Sequence, residues 1–454
     1  MHNPRAGGFG HGIPRQSDGR HERLPPIDDP APTGSPASPD PPSSDWRRGY
    51  RDVLRLGEFR ALWLAHALSI TGNYLLNIAV TVLVFQRTDS ALATGLTLAL
   101  TFLPPLIAGP LLSGLADLLP RRRVMIASDL VRAALVGCIG IPGLPLEVIW
   151  LLLFCSVLPT IPFGAARAAL LTQIAQGERF VAGSTLINVT SQAGSLVGLA
   201  AGGVLVALVD ARPAVLGNGL TFLVSAAIVT LWVRPRPAPA ASPESDRPTL
   251  WQITRDGPRL VFRDPRLRTL ALLAWLAGCY IIPYGTATPM AAEIGGGPAT
   301  AGLIMASPAI GAVLGGLPLT RLVPPRVRTR LLGLLAVVAS LPLTVWILQP
   351  PLWAMVLLLV VSGMAASYQF VANATFVLCA PPVGRGVAFG LVAAGLQVAQ
   401  GIGIALASFL VEYTSPHLVV TVGGVVGTVG AAALALPWSR LAAGAVEAMH
   451  GGPE

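Results

Sequence analysis

Beyond residue 60 the chain runs as long apolar stretches separated by short polar turns. A helix needs about 20 apolar residues to cross a bilayer, and only a helix satisfies its own backbone there. Such stretches stand at about 61–85, 91–116, 124–142, 147–166, 183–208 and 214–233. Six more follow at about 267–290, 299–320, 329–348, 352–378, 386–411 and 416–437. The pattern predicts an all-α membrane protein of twelve transmembrane helices in two pseudo-symmetric six-helix bundles. Residues 51–60 alternate charge with Leu, Val and Phe, which suits a short amphipathic helix on the membrane surface.

The remaining segments are polar. Residues 1–50 hold ten Pro and no apolar core of a secretory signal, so a disordered tail is expected. Residues 234–266 are Pro-rich and then amphipathic around Trp251, Ile253, Leu260, Val261 and Phe262, as a linker ending in a surface helix would be. The expected organisation is therefore a tail (1–50), a first bundle (51–233), a linker (234–266), a second bundle (267–437) and a second tail (438–454).

Composition agrees with a bilayer setting. The 454 residues are 53% hydrophobic and 12% charged, and the mean hydropathy is +0.65. Soluble domains carry about a quarter charged residues, so a soluble enzyme, a coiled coil and a disordered protein are excluded as the main reading. The net charge of +9 could point to nucleic acid, but all 31 basic residues are Arg and they are one-sided. Arg121–Arg123, Arg167, Arg179, the linker arginines, Arg321, Arg326, Arg328, Arg330, Arg385 and Arg440 fall on the face that carries the tails. The other face carries Arg87 and Arg212. The positive-inside rule then places both termini in the cytoplasm of a multi-pass cell-membrane protein, with no nucleic-acid partner. Four separated Cys in apolar stretches propose neither a metal site nor a disulfide. No Walker loop or catalytic cluster is present, so no enzyme, cofactor or metal is expected.

Polar residues inside the apolar stretches are the candidate functional groups. His66, Ser69, Asn73 and Asn77 share one face of the first span. They either line a water-filled cavity or hydrogen-bond between helices. Asp129 and Arg132 stand three residues apart in the third span and can neutralise each other. Gly194, Gly198, Gly202 and Gly203 in the fifth span would let another helix approach closely. Tyr280 and Tyr284 in the seventh span, with Gln369 and Asn373 in the tenth, add aromatic and amide groups.

The turn LSGLADLLPRRRVMI (112–126) and its counterpart GLPLTRLVPPRVRTRLL (316–332) form a weak internal repeat. In the first, Leu115, Ala116, Asp117, Arg121 and Arg122 resemble the signature turn of the major facilitator superfamily. FRALWLAHALSITGNYLLNIAV (59–80), RRRVMIASDLVRA (121–133), FGAARAALL (163–171) and STLINVTSQAGSLVGLAAGGVLV (184–206) resemble its twelve-span macrolide-efflux and siderophore-export branch. The resemblance implies a conformational latch of Asp117, Arg121 and Arg122, joined by Asp129 and Arg132. It also implies a central cavity lined by the first, fourth, seventh and tenth helices, hence by His66, Ser69, Asn73, Asn77, Tyr280, Tyr284, Gln369 and Asn373. Asn73 stands where members commonly carry an acid, and Leu199 where the family's antiporter motif has Pro. The implied activity is export of a small amphiphilic molecule by a monomer, with protons as exchange ion. An uptake or facilitative carrier, a lipid-translocating carrier and a non-transporting receptor or scaffold are the alternatives. A cavity of amides and aromatics without fixed charge would suit a bulky neutral or amphiphilic solute.

Overall fold

Long apolar stretches become helices here because a backbone in hydrocarbon has only itself to bond with. The computed structural model describes residues 46–105, 112, 119–176, 178–237, 258–381 and 385–450, and the regular elements among them are all helical. α1 (Trp46–Arg55) precedes α2 (Gly57–Thr88), α3 (Ala91–Phe102) and α4 (Arg121–Ile139). α5 (Leu146–Val157) and α6 (Thr160–Ile174) together make the fourth span, followed by α7 (Glu178–Val209) and α8 (Ala211–Trp232). The seventh span is α9 (Pro265–Trp275), α10 (Ala277–Tyr280) and α11 (Ile282–Glu293), and the eighth is α12 (Pro298–Arg321). α13 (Pro325–Ser340) continues as a 3₁₀ segment over Leu341–Leu348. α14 (Leu352–Ala366) and α15 (Tyr368–Cys379) form the tenth span, and α16 (Arg385–Tyr413) and α17 (Pro416–His450) complete the chain.

Among the described residues, ten of these helical stretches are long and apolar enough to cross a membrane. The other two expected spans have identifiable reasons for falling short. Most of the second beyond α3 lies outside the described residues. α4 is helical where the third span is expected, but Arg121, Arg122, Arg123, Asp129 and Arg132 lower its hydropathy. Two boundaries differ from expectation. α1 begins at Trp46, inside the stretch read as tail, and α17 passes through Pro437 to His450. Pro437 removes only one backbone donor, and the buried Trp438 beside it donates from Nε1 to the Thr329 carbonyl at 2.8 Å.

Turns are set by local chemistry. Asp89 adopts a left-handed conformation (φ 49°) that ends α2, and its N–H bonds the Phe85 carbonyl. Ser90 then caps α3 by accepting from the Ala93 N–H at 3.1 Å. Asp264 caps α9 by accepting from the Arg266 N–H at 2.8 Å, with Pro265 in the first turn.

α2 packs against α7 and α8, and α8 against α4. In the second set, α12 packs against α14, and α13 against α17. Between the sets, α3 runs along α16 and α7 along α12. We term the face holding Gly57 the near face and the one holding Thr88 the far face. The far-half core is continuous across both sets and includes Leu76, Val80, Leu98, Val206, Tyr284, Met290, Ile304 and Ile404. In the near half the described core divides in two. One cluster surrounds Phe59, Met125, Phe163 and Val229; the other surrounds Leu270, Leu332, Tyr368 and Trp438.

Candidate functional site

Asp129 and Arg132 sit in the middle of the first set, 0% and 1% exposed. Burying two charges costs several kcal/mol each unless partners compensate, and here they do. Arg132 Nη1 lies 3.6 Å from Asp129 Oδ1 and donates to Ser69 Oγ at 2.8 Å. Its Nη2 donates to Asn73 Oδ1. The guanidinium carbon stands 3.9 Å from the centroid of the Phe222 ring, an added cation–π contact. Asp129 Oδ2 accepts from Ser225 Oγ at 2.6 Å. α2, α4 and α8 are thus tied through one charge pair.

The buried Ser69 bonds Arg132, which fits the second role open to the stripe, hydrogen bonding between helices. Asn73, half-buried one turn further on, is likewise engaged by Arg132. The four polar residues of the first span therefore divide among four partners: Arg167 and Ser191, Arg132, and Tyr284.

His66 is the second of these groups. It is 6% exposed, and Arg167 on α6 donates from Nη1 to its Nδ1. Because arginine can only donate, Nδ1 accepts and the imidazole proton sits on Nε2. Nε2 then donates to Ser191 Oγ on α7 at 2.8 Å, and Ser191 donates onward to the Ile187 carbonyl at 3.0 Å. One turn before His66, Trp63 Nε1 donates to Thr190 Oγ1 at 2.6 Å. Arg167 departs from its expected place among the connecting arginines: it lies inside α6. A lone Arg within FGAARAALL gave no periodic signal to separate the two placements.

Asn77, the last of the stripe, reaches the other set, where its Nδ2 donates to Tyr284 OH at 3.1 Å. Tyr280 OH accepts from Gln369 Nε2 at 2.9 Å, and the same amide also donates to the Ala274 carbonyl at 2.9 Å. Tyr368, which the sequence did not single out, donates from its hydroxyl to the Leu273 carbonyl at 2.6 Å. Asn373 lies half-buried one turn beyond Gln369. The fourth, seventh and tenth spans are each broken into shorter helices, at Leu158–Pro159, at Leu276 and Ile281, and at Ser367. The backbone stays bonded across the breaks: the Leu276 N–H donates to the Leu272 carbonyl at 3.1 Å and the Ile281 N–H to the Ala277 carbonyl at 3.0 Å.

The glycines of α7 divide between two neighbours. A Cβ on Gly198 would fall 2.5 Å from the Thr71 carbonyl oxygen of α2, and Gly194 and Gly202 face the same helix. Gly203 faces Gly302 of α12, and a Cβ on either would fall 2.8 Å from the Cα of the other. On the far face, Glu412 Oε2 accepts from Ser90 Oγ and the Leu92 N–H, both at 3.1 Å. At the near face, Arg121 donates to the Ala169 carbonyl at 3.1 Å. Arg122 donates to the Val229 carbonyl at 3.4 Å and also to that of Thr230. These bonds stay within the first set, on the carbonyl ends of α6 and α8, and Asp117 lies outside the described residues. Among the described residues no group of three His, Cys, Asp or Glu comes together to hold a metal.

The family model described as the Major Facilitator Superfamily matches residues 62–289 and 270–447. The chain belongs to the Major Facilitator Superfamily. It is a multi-pass membrane transporter of that superfamily, with apolar spans and a fold to match. Macrolide efflux protein A of Streptococcus pyogenes is 28% identical over 97 residues, 21% of this chain. That match spans 24% of the relative's own length. Among solved structures, a point mutant of the nucleoside transporter NupG superposes with a TM-score of 0.68 at 12% identity. The match covers 84% of this chain and 99% of that one. A bacterial homolog of the human lysosomal transporter Spinster, inward-facing and occupied, gives 0.62 at 14% identity, covering 88% and 97%. A structure of the proton-dependent oligopeptide transporters gives 0.65 at 14% identity, covering 87% and 99%. At these identities the superfamily likeness is one of fold.

Proposed function

We propose that this major facilitator protein is a twelve-span secondary transporter that exports a small amphiphilic molecule by alternating access. One observation supports the reading: among the described residues the two sets of spans share a core in the far half and have separate cores in the near half. A cleft closed at the far face by Asn77–Tyr284, Gly203–Gly302 and the Glu412 contacts is the shape of one alternating-access state. The one-sided arginines support a cytoplasmic near face, with both termini inside and the chain in the cell membrane. In that orientation the cleft faces the cytoplasm, ready to collect its solute there. The macrolide-efflux resemblance supports the outward direction. His66, Asn73, Asn77, Tyr280, Tyr284, Gln369 and Asn373 are assigned to the cleft and its far-face closure, and Asp117, Arg121 and Arg122 to a latch at the near face. The protein works as a monomer, exchanging its solute for protons.

The test has two stages. Expression in an efflux-deficient host, screened against a panel of antibiotics, should raise resistance to at least one amphiphilic compound. Purified protein in liposomes should then move that compound faster under an imposed pH gradient. Transport unaffected by the gradient removes proton exchange from the reading. Failure to move any compound that the host screen identifies removes export.

A further inference from the structure

Arg167 is a half-buried cation with no carboxylate in ion-pair contact among the described residues. Its described hydrogen-bond partner, His66, is held by its own bonds in the neutral form. The ion pairs of the described residues do not include Arg167, and its Nε, like those of Arg121 and Arg132, is buried without an acceptor. Arg132 shows what the same fold does for a structural arginine: a carboxylate, a hydroxyl, an amide and an aromatic ring surround it. Arg167 has one imidazole. A guanidinium within a membrane span is costly unless it is paired or meets a polar ligand.

Its position adds direction. Asn77 reaches across to the second set. His66 precedes it by eleven residues, which is about three turns and a net rotation of about 20°. His66 therefore faces the same side as Asn77, but in the near half, where the described cores of the two sets are separate. Arg167 stands beside it, and Trp63 lies one turn nearer the near face. The group is an apolar ring, a neutral imidazole and a guanidinium with unused donors, gathered where α2, α6 and α7 meet.

Resting on the transporter reading above, we propose that Arg167 and His66 form the anion-binding subsite of the cleft. The solute then carries a carboxylate or phosphate on an apolar body. The guanidinium takes the acidic group through its free N–H donors, the His66–Ser191 chain holds the guanidinium in place, and Trp63 meets the apolar part. The absence of fixed charge expected of the cavity is thereby revised, because this charge comes from a residue the sequence had placed in a turn.

The experiment compares naphthoate, naphthyl phosphate and naphthamide binding to the full-length protein in nanodiscs, with empty nanodiscs subtracted. Wild type should hold at least one of the anions about tenfold or more tighter than the amide, the scale of a hydrogen bond to a charged group. Arg167→Gln should erase that preference while amide binding stays the same. Arg167→Lys, which keeps a point charge but not the planar fork, should bind the anion more weakly than wild type and still prefer it over the amide. That comparison stands even if Arg167→Gln fails to fold. No anion preference in wild type, no anion binding, or a preference that survives Arg167→Gln overturns the proposal. The same variants in the liposome assay separate the two readings: transport indifferent to Arg167→Gln sinks the subsite and leaves the carrier intact.

Discussion

Gly203 and Gly302 meet backbone to backbone where the fifth and eighth spans cross: a Cβ on either would lie 2.8 Å from the other's Cα. The contact belongs to the far-half seam between the two sets, so a side chain there must push the sets apart. Overpacking a tight contact costs about 1–3 kcal/mol. Gly203→Leu and Gly302→Val should each move the population toward a far-open form by about tenfold, since about 1.4 kcal/mol is a factor of ten. Labelling of a cysteine placed at Thr81, buried one turn beyond Asn77, by a membrane-impermeant maleimide from the far face should rise accordingly. Unchanged labelling would show that the seam tolerates the bulk without opening.

Asp129 and Arg132 should behave as a pair. Removing one partner leaves an uncompensated buried charge, at a cost of about 3–5 kcal/mol, whereas removing both costs far less. Asp129→Leu and Arg132→Leu should each lower the melting temperature in detergent sharply, and the double variant should recover most of the loss. If the two losses simply add, the pair is not coupled and the bonds to Ser69, Asn73 and Ser225 hold each group independently.

Tyr284→Phe removes the hydroxyl that Asn77 donates to across the seam. One neutral hydrogen bond is worth about 1 kcal/mol, so stability should change little. The far-open population should rise roughly fivefold, read by the same maleimide labelling. Asn77→Leu should do the same, and the double variant should add nothing beyond either single change.

Arg122 caps the carbonyl end of α8 at the near face. Arg122→Ala should cost less than about 1 kcal/mol of stability, as exposed charged contacts do. If the assigned latch is right, it should still slow transport in liposomes. A variant with full transport would reduce Arg122 to a marker of topology.

How much of this was legible beforehand follows from the range of each signal. Ten spans were readable because each is a local run of apolar residues. α4 was readable as a helix in spite of its charges because its apolar remainder keeps helical spacing. The stripe His66, Ser69, Asn73 and Asn77 was visible as a stripe, since one helix fixes its own period. Its partners were not visible: Arg132, Arg167, Ser191 and Tyr284 lie on four other helices, and packing between helices leaves no trace in one sequence. Arg167 was misplaced for a related reason. Arginines near span ends serve topology so often that a lone one inside α6 looks the same until its neighbour is known. The glycines of α7 announced a close approach but not that Gly203 would turn to α12 while Gly198 turned to α2.

The central claim is that two sets of helices rock against each other, the far-face seam opening as the near end closes. Spin labels at Arg60 and Arg330 report the near face, and labels at Asp89 and Tyr413 report the far face, all four being exposed positions. Pulsed dipolar distances for the two pairs should change in opposite senses: Gly203→Leu should shorten the near-face distance and lengthen the far-face one. Two distances that stay fixed, or that lengthen and shorten together, would contradict the account.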